Sequence, residues 1–586
     1  MIKRLQPSVS PHNQSTPARL TAPATEKLPR LILFLLVLVY IVPGLVGRDP
    51  WKIDDVVGLA TMLTPLRLGG ITWLIPHVGP SELAQDGPLV MWTGAGLIHL
   101  FGHWLGDVVA SRITNLLWFG ITLVSVWYGT YLLGRRAEAQ PLALPFGGEP
   151  TVKDYGRLLA DVAVLMLVAT VGILLRLHET SFVPALLAFQ SLAFCALARM
   201  LDKPRLGAFM LGLAMAAAFL TRAWPGLLPV LLATLVAFSP RSRLWVSRKW
   251  LLAALLLALV CILGWVVPAY RASPEWITDW LHWNKLYFGV PEYYVALRPL
   301  RDLPWFLWPV WPLAGLALWQ WRRWITAPHI WIPLSVALGM LLMLPITAET
   351  GEPEFVLFVA PLSVLAAFAL PTMRRAVINT LDWFALMCFS VTITCVWVGW
   401  FALHFGIPHQ IQLNIQRLTQ GFEPHIAWWT VLVSAFFTGL WIFLIHWRLH
   451  LRPSMLWRGS MLCASGITIT WALLALLWMP AVDYVRSYRP MSSQIHQALA
   501  KLPAQQGQLA CARSQGLSLG ARASLYVFDG ISFSYDSSCP YVLQQTTQEQ
   551  LDEGRAGYSD GASVIWQGSR GADRYDRYRL LRVQTK

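Results

Sequence analysis

Two adjacent carboxylates, Asp54 and Asp55, stand directly after the first long apolar run of the chain, in Arg48-Asp49-Pro50-Trp51-Lys52-Ile53-Asp54-Asp55. An ionised group this close to hydrocarbon is costly and usually functional; a solvated loop pair or a helix-start cap is the plain alternative. Side-by-side acids also couple, since the charge of one raises the pKa of the other. Glu179, with His178 in Arg176-Leu177-His178-Glu179, forms a second acidic site, and Glu349, Glu352 and Glu354 a third. An acid so placed can take a proton from an incoming hydroxyl or amine. Cations in the same gaps, Lys52, Arg67, Arg112, Arg222, Lys285, Arg298 and Arg301, could hold an anion, although each alone also reads as a lipid-headgroup anchor or a topology charge. Trp276, Trp280, Trp283, Tyr287, Tyr293 and Tyr294 form either an interface belt or the lining of a ligand path.

What must position these groups is a membrane-embedded body. The 586-residue chain is 56% hydrophobic and 13% charged, with 31 Trp, which excludes a soluble multidomain protein. Residues 31 to 479 read as about thirteen spans: 31–46, 113–134, 158–175, 182–198, 207–220, 227–238, 251–268, 305–321, 330–346, 355–370, 383–405, 427–445 and 461–478, each judged against the roughly 20 apolar residues a crossing needs. The runs at 207–220 and 227–238 are short and parted by Arg222 and Pro225, so they are one broken element or two. The Lys/Arg bias of the loops puts the amino terminus in the cytoplasm, and thirteen crossings then leave residues 480 to 586 outside. The net charge of +15 is mostly this topology signal, not a nucleic-acid surface.

Three segments flank or interrupt the spans. Residues 1 to 28 read as a disordered cytoplasmic tail. Residues 48 to 112 read as an outer loop of short amphipathic helices lying on the leaflet, a lid or a platform. Residues 480 to 586 read as a small soluble α/β domain, with strand-like pieces at 523–528 and 563–566. Its Cys511 and Cys539 either pair or stay free, while Cys195, Cys261, Cys388, Cys395 and Cys463 fall in spans.

The order of motifs resembles the GT-C superfamily of polyprenyl-phosphate-sugar glycosyltransferases, in the branch of the lipid A aminoarabinose transferase and the protein O-mannosyltransferases. That family opens its first outer loop with an acidic pair, followed by Lys-Pro-Pro-Leu-x-x-Trp, Phe-Gly and an Arg entering the second span. Here stand Asp54-Asp55, Asp86-Gly87-Pro88-Leu89-Val90-Met91-Trp92, Phe101-Gly102 and Ser111-Arg112-Ile113. Leu220-Thr221-Arg222-Ala223-Trp224-Pro225-Gly226 is similar to the family's Leu-Thr-Lys-Gly-Pro segment, and Arg176 to Glu179 to its second acidic loop. The chain departs from the pattern with Val57 and Asp86 where close relatives carry an Arg and a Lys that help hold the lipid phosphate, and with Gln85 near the Glu of their metal site.

The resemblance implies a bacterial inner-membrane enzyme that moves a sugar from a polyprenyl phosphate to a lipid, glycan or protein acceptor at the periplasmic face, with Asp54 as general base. Asp55 would orient or titrate with it, and Glu179 with His178 would serve the acceptor. Lys52, Asp86, Arg112, Arg222, Lys285 and Arg301 would bind substrate. A divalent metal stays open, with Glu82, Asp86 and His282 as available ligands, although hard cations want several oxygens. A lipid-linked glycan transporter or ligase, or a scaffold that has lost catalysis, is the rival reading. A transporter would be expected to carry midplane ionisable groups and repeated halves, whereas Asp161 is the single acid clearly inside a predicted span.

Overall fold

In the computed structural model every residue is described except 1–15, 26–27, 144–146, 349–350, 451–454, 504–508, 535, 537–538, 554–561, 572 and 584–586. Glu349 of the third acidic site and most of the amino-terminal tail therefore lie outside the described residues. Of that tail, Ala18 and Leu20 are buried, and the Arg19 amide donates to the Pro371 carbonyl.

The body is all-helical. Helix α1 (Arg30–Ile41) is followed by α2 (Ile53–Leu68), α3 (Leu89–Leu105), α4 (Asp107–Gly134), α5 (Val152–Val168), the single turn α6 (Ile173–Arg176), α7 (Phe182–Met200) and α8 (Pro204–Ala237). Then come α9 (Arg248–Ala272), α10 (Pro274–Tyr287), α11 (Tyr293–Phe306), α12 (Val310–Gln320), α13 (Pro328–Met343), α14 (Glu352–Val356), α15 (Val359–Ala369), α16 (Arg375–Phe405), α17 (His409–Leu418), α18 (Trp428–His450) and α19 (Met455–Leu477). Among the described residues nine helices are long and apolar enough to cross a bilayer. The predicted spans at 31–46, 158–175 and 305–321 form shorter helices, because Pro43, the Thr170 turn and the Trp308-Pro309 corner end or interrupt them.

The broken element is resolved as a helical hairpin. At Arg222 and Ala223 the backbone leaves helical geometry, with Ala223 at φ 49°. Beyond the break the chain doubles back so closely that a Cβ on Gly226 would meet the Ala218 carbonyl. Pro225 cannot donate to the preceding turn, which helps to set the break there. The apex residue is Arg222. At the other end of the body, Asp382 of α16 accepts from Arg448 of α18 and Arg458 of α19, a fully buried acid tying three helices together.

Residues 480 to 586 form an α/β unit. Helices α20 (Met479–Arg486), α21 (Arg489–Ala500) and α22 (Leu519–Asp529) accompany a four-stranded sheet; a separate two-residue ladder, β1 (His77–Val78) with β2 (Ser81–Glu82), sits in the first loop. The sheet runs β3 (Ala512–Gln515), β4 (Tyr541–Thr547), β6 (Asp576–Arg582), β5 (Ser563–Gly568), with β3 parallel to β4 and the other pairs antiparallel. Cys511 and Cys539 are disulfide-bonded at the entries to β3 and β4. The strand expected at 563–566 is β5. The one expected at 523–528 is instead inside α22, capped by Ser518 at its start and by Gly530 in left-handed geometry at its end; local capping overrides the β-branched and aromatic composition.

A second correction concerns the first loop. Helix α2 does not lie amphipathically on a leaflet: Val56, Val57, Leu59, Ala60, Met62 and Leu63 are all buried. Its sides are covered by α3, by the Thr180 loop and by α22 of the tail, where Arg67 donates to the carbonyls of Tyr526 and Val527. Only its ends, at Ile53, Asp54, Arg67 and Leu68, stay open, so it does not present one continuous polar face. Helix α3 keeps an exposed apolar edge at Leu100, Trp104 and Leu105.

Candidate functional site

The site is assembled around the start of α2. The two adjacent acids occupy its first turn, where the helix dipole favours negative charge, and successive helical positions send them different ways. Asp55 is fully buried. Its Oδ2 accepts from Arg48 Nη1 at 2.8 Å and lies 3.4 Å from Arg112 Nη2, while its Oδ1 accepts from the Thr180 amide at 2.7 Å. Burial alone would raise its pKa, but Arg48, Arg112 and the Thr180 amide together hold it below the usual carboxylate range. Asp55 is thus a structural anchor ion-paired with Arg48 and Arg112, turned away from Asp54.

Asp54 points the other way. Its side chain is 33% exposed and Oδ2 accepts from Arg176 Nη1 at 2.9 Å. Arg176 is the hub of the acidic sites: the same nitrogen is 2.8 Å from Glu179 Oε2, and Nε donates to Glu352 Oε2 at 2.8 Å. Lys52 closes the ring, 3.0 Å from Glu179 Oε1 and 3.6 Å from Glu352 Oε2. Burial raises the pKa of Glu179, opposed by Arg176 and Lys52. Asp54 is thereby the acid of this group with both solvent access and a single cationic partner, and it has lone pairs left to receive a proton.

A second cluster faces it. Arg222, at the hairpin apex, donates Nη1 to Asp86 Oδ1 at 2.8 Å, and its guanidinium lies 3.6 Å from the centre of the Phe182 ring and 5.3 Å from that of Trp283. The Arg222 Nε–H is buried with no acceptor among the described residues. Asp86 sits there because Gly87 is pressed on the hairpin: its amide donates to the Thr221 carbonyl, and a Cβ would come 2.1 Å from the Leu220 oxygen. Burial raises the Asp86 pKa against the pull of Arg222, and the charge of Asp54 pushes it further the same way. Beyond Arg222 a narrow cleft of about 20 Å³, room for about one water, is lined by Phe182, Leu186, Tyr287, Met340, Met343 and Leu344. The Tyr287 hydroxyl donates to Glu354 at 2.8 Å.

The remaining expected residues fall elsewhere. Arg112 is buried on Asp55 and on the carbonyls of Leu45 and Arg48. His178 is buried against Tyr40 and Trp471, with Nδ1 2.6 Å from the Leu174 carbonyl, and burial pushes its imidazole down to about 4; it faces away from the acidic ring. Lys285 is exposed on α10. Arg301 is exposed on α11, pairs with its neighbour Asp302, and lines a cavity of about 420 Å³ together with Arg298 and Glu352. Among the described residues no three His, Cys, Asp or Glu side chains converge as metal ligands, and Asp86 is occupied by Arg222.

Sequence reasoning passed over Arg48 and Arg176 as site residues. The signal for Arg176 was present: an Arg three residues before Glu179 can pair with it on one helical turn. Arg48 left no comparable trace, because its partner Asp55 is seven positions away across a non-helical turn.

Two solved structures share this architecture. ArnT from Cupriavidus metallidurans bound to undecaprenyl phosphate superposes with a TM-score of 0.64 at 16% identity, covering 94% of this chain and 97% of that one. The same protein in the apo state gives 0.63 at 14% identity over the same shares. No family model matches the sequence, and no curated protein matches it as a relative. The chain has the ArnT fold, body and tail together, as the loop motifs implied.

Proposed function

We propose that the protein is a membrane glycosyltransferase that takes a sugar from a polyprenyl-phosphate donor, with Asp54 as general base and Arg222 as the principal cation for the lipid phosphate. The observation that carries the reading is a part-exposed carboxylate set near a largely enclosed arginine whose buried Nε–H has no acceptor among the described residues. An orphaned charged donor is costly in a protein interior, and a phosphate oxygen would satisfy it. In this reaction the acceptor hydroxyl or amine attacks the anomeric carbon while Asp54 takes its proton, and the bond from that carbon to the phosphate oxygen breaks. Negative charge building on the phosphate is stabilised by Arg222. Arg176 and Lys52 bridge the surrounding acids, and Arg176 fixes Asp54.

The fold of ArnT, solved with undecaprenyl phosphate, supports a polyprenyl donor. Met340 and Met343 are flexible enough to part and widen the cleft beside Arg222 for the lipid tail. The disulfide supports an oxidising, periplasmic placement of the tail, and with it of Asp54, because Asp49 beside the site pairs with Arg489 of α21 at 2.9 Å. The inner membrane of a bacterium is then the location, with the amino terminus in the cytoplasm and a lipid, glycan or protein as acceptor. The test is single-turnover transfer from a polyprenyl-phosphate pentose or hexose by the purified protein. Loss in Asp54→Asn with retained folding supports the reading, and a wild-type rate in that variant would move the base to Glu179 or another acid.

A further inference from the structure

Helix α4 connects the site to an unrelated feature at the other end of the body. Arg112 lies beside Asp55, and Trp127 follows it by 127 − 112 = 15 residues, roughly 22 Å along the helix at 1.5 Å per residue. Around Trp127 a cavity of about 370 Å³ opens between α1, α4, α5 and α19, lined by Arg30, Arg157, Asp154, Asp161, Trp127 and Trp457 among others. Its size falls in the range of small-ligand pockets.

Three charged groups of this cavity, Asp161, Arg30 and Arg157, keep hydrogen-bonding capacity among the described residues. Trp127 Nε1 donates to Asp161 Oδ1 at 2.8 Å, which fixes the carboxylate, and Oδ2 receives no hydrogen bond among the described residues. Arg30 and Arg157 lie near enough for their charges to act on Asp161, yet neither donates a hydrogen bond among the described residues. Asp154 is engaged with Thr151 at the start of α5. Both signs of charge therefore line one space. A ligand bearing only negative groups would meet Asp161, and one bearing only positive groups would meet Arg30 and Arg157.

The rim is apolar and outward-facing. Leu31 and Phe34 of α1 are 66% and 61% exposed, and Val124 and Tyr128 of α4 are 58% and 51% exposed. Such side chains belong in hydrocarbon, and an aromatic pair such as Trp127 and Tyr128 beside charges marks a membrane interface. A ligand that suits this setting carries a phosphate and an ammonium on a short linker, with acyl chains to lie along α1 and α4. We propose that the cavity binds the headgroup of an aminophospholipid, its phosphate on Arg157 and Arg30 and its ammonium on Asp161. The bound lipid braces the packing of α1 and α5 against α19 and α4. This site is separate from the transfer site and does not depend on the reading of that site.

The test is native mass spectrometry of the full-length protein, delipidated in detergent and supplied with dioleoyl phosphatidylethanolamine or dioleoyl phosphatidylglycerol. Wild type is expected to retain the ethanolamine lipid about tenfold better, a difference of about 1.4 kcal/mol. The near-isosteric Asp161→Asn should lose that preference while still taking up phosphatidylglycerol, and Arg157→Gln should lose both lipids. Lys501→Gln in the tail should match wild type. Added phosphatidylethanolamine should raise the unfolding midpoint of wild type and not of the two cavity variants, whose lipid-free midpoints check their folding. Equal retention of the two lipids, or retention unchanged in both variants, would overturn the proposal.

Discussion

Replacing Asp55 by Asn separates architecture from chemistry in the acidic pair. The Asp55 side chain is fully buried, and its partners Arg48 and Arg112 are 2% and 1% exposed. Asn keeps the shape but leaves two buried guanidinium groups without their counter-charge. Breaking a buried pair in this way costs about 3–5 kcal/mol. The carbonyls of Gly44, His178, Leu45 and Arg48 still accept from the two arginines, which keeps the cost within that range. Asp54→Asn is the contrasting change: its side chain is one-third exposed and loses one ion pair, while Arg176 keeps Glu179 and Glu352, so the cost is about 0–1 kcal/mol. Asp54→Asn should lower transfer by about a hundredfold or more if it removes the base. Thermal unfolding followed by tryptophan fluorescence, alongside the transfer assay, reads both quantities. An Asp55→Asn protein as stable as Asp54→Asn would refute the assignment of roles.

Other outcomes follow from the same geometry. Arg222→Gln should raise the apparent Michaelis constant for the lipid donor, whereas neutralising Arg374 and Arg375 should not; equal sensitivity in steady-state kinetics would argue that backbone or metal holds the phosphate. Gly87→Ala should cost about 1–3 kcal/mol by overpacking and lower activity, because its Cβ would strike the Leu220 carbonyl and lift Asp86 from Arg222; a silent Gly87→Ala would show that the seat is soft. Burial pushes Asp483 up to about 6, and nearby Asp49 adds to the shift while an amide bond opposes it. A folded pKa above the unfolded one adds stability that is complete below the unfolded value and lost as pH rises through about 6. The unfolding midpoint should therefore fall less between pH 5 and 7 in Asp483→Asn than in wild type. Cysteine labelling beyond Trp478 in whole cells should report the same face as labelling near Asp54, and opposite faces would break the contact between Asp49 and Arg489 on which the placement rests.

The membrane class, the broken helix at Arg222 and the gathering of Asp54, Lys52 and Glu179 were legible because apolar run length and loop acidity are local properties. The division of labour between Asp54 and Asp55 was not. Adjacent letters carry no sign of which one meets Arg48 and Arg112, residues seven positions before and 57 after Asp55 in the chain. Arg112 and His178 looked like ligand groups from their loop positions, yet both are buried against backbone carbonyls. Helix α22 was misread because its apolar residues also suit a strand, and only Ser518 and Gly530 at its ends speak for a helix. The enclosure of α2 depends on the tail returning from 459 residues away to meet Arg67, a long-range contact that no window of sequence contains.

That return has a thermodynamic corollary. Helix α2 presents Asp54 at one end and grips Tyr526 through Arg67 near the other, so the proposed base and the carboxy-terminal unit are joined by one helix. Linkage is reciprocal: whatever factor a change in tail docking imposes on donor affinity, donor binding must impose on tail docking. If the proposed donor site is coupled to the tail through α2, amide hydrogen exchange across α22 should change on donor binding, although α22 itself does not line that site.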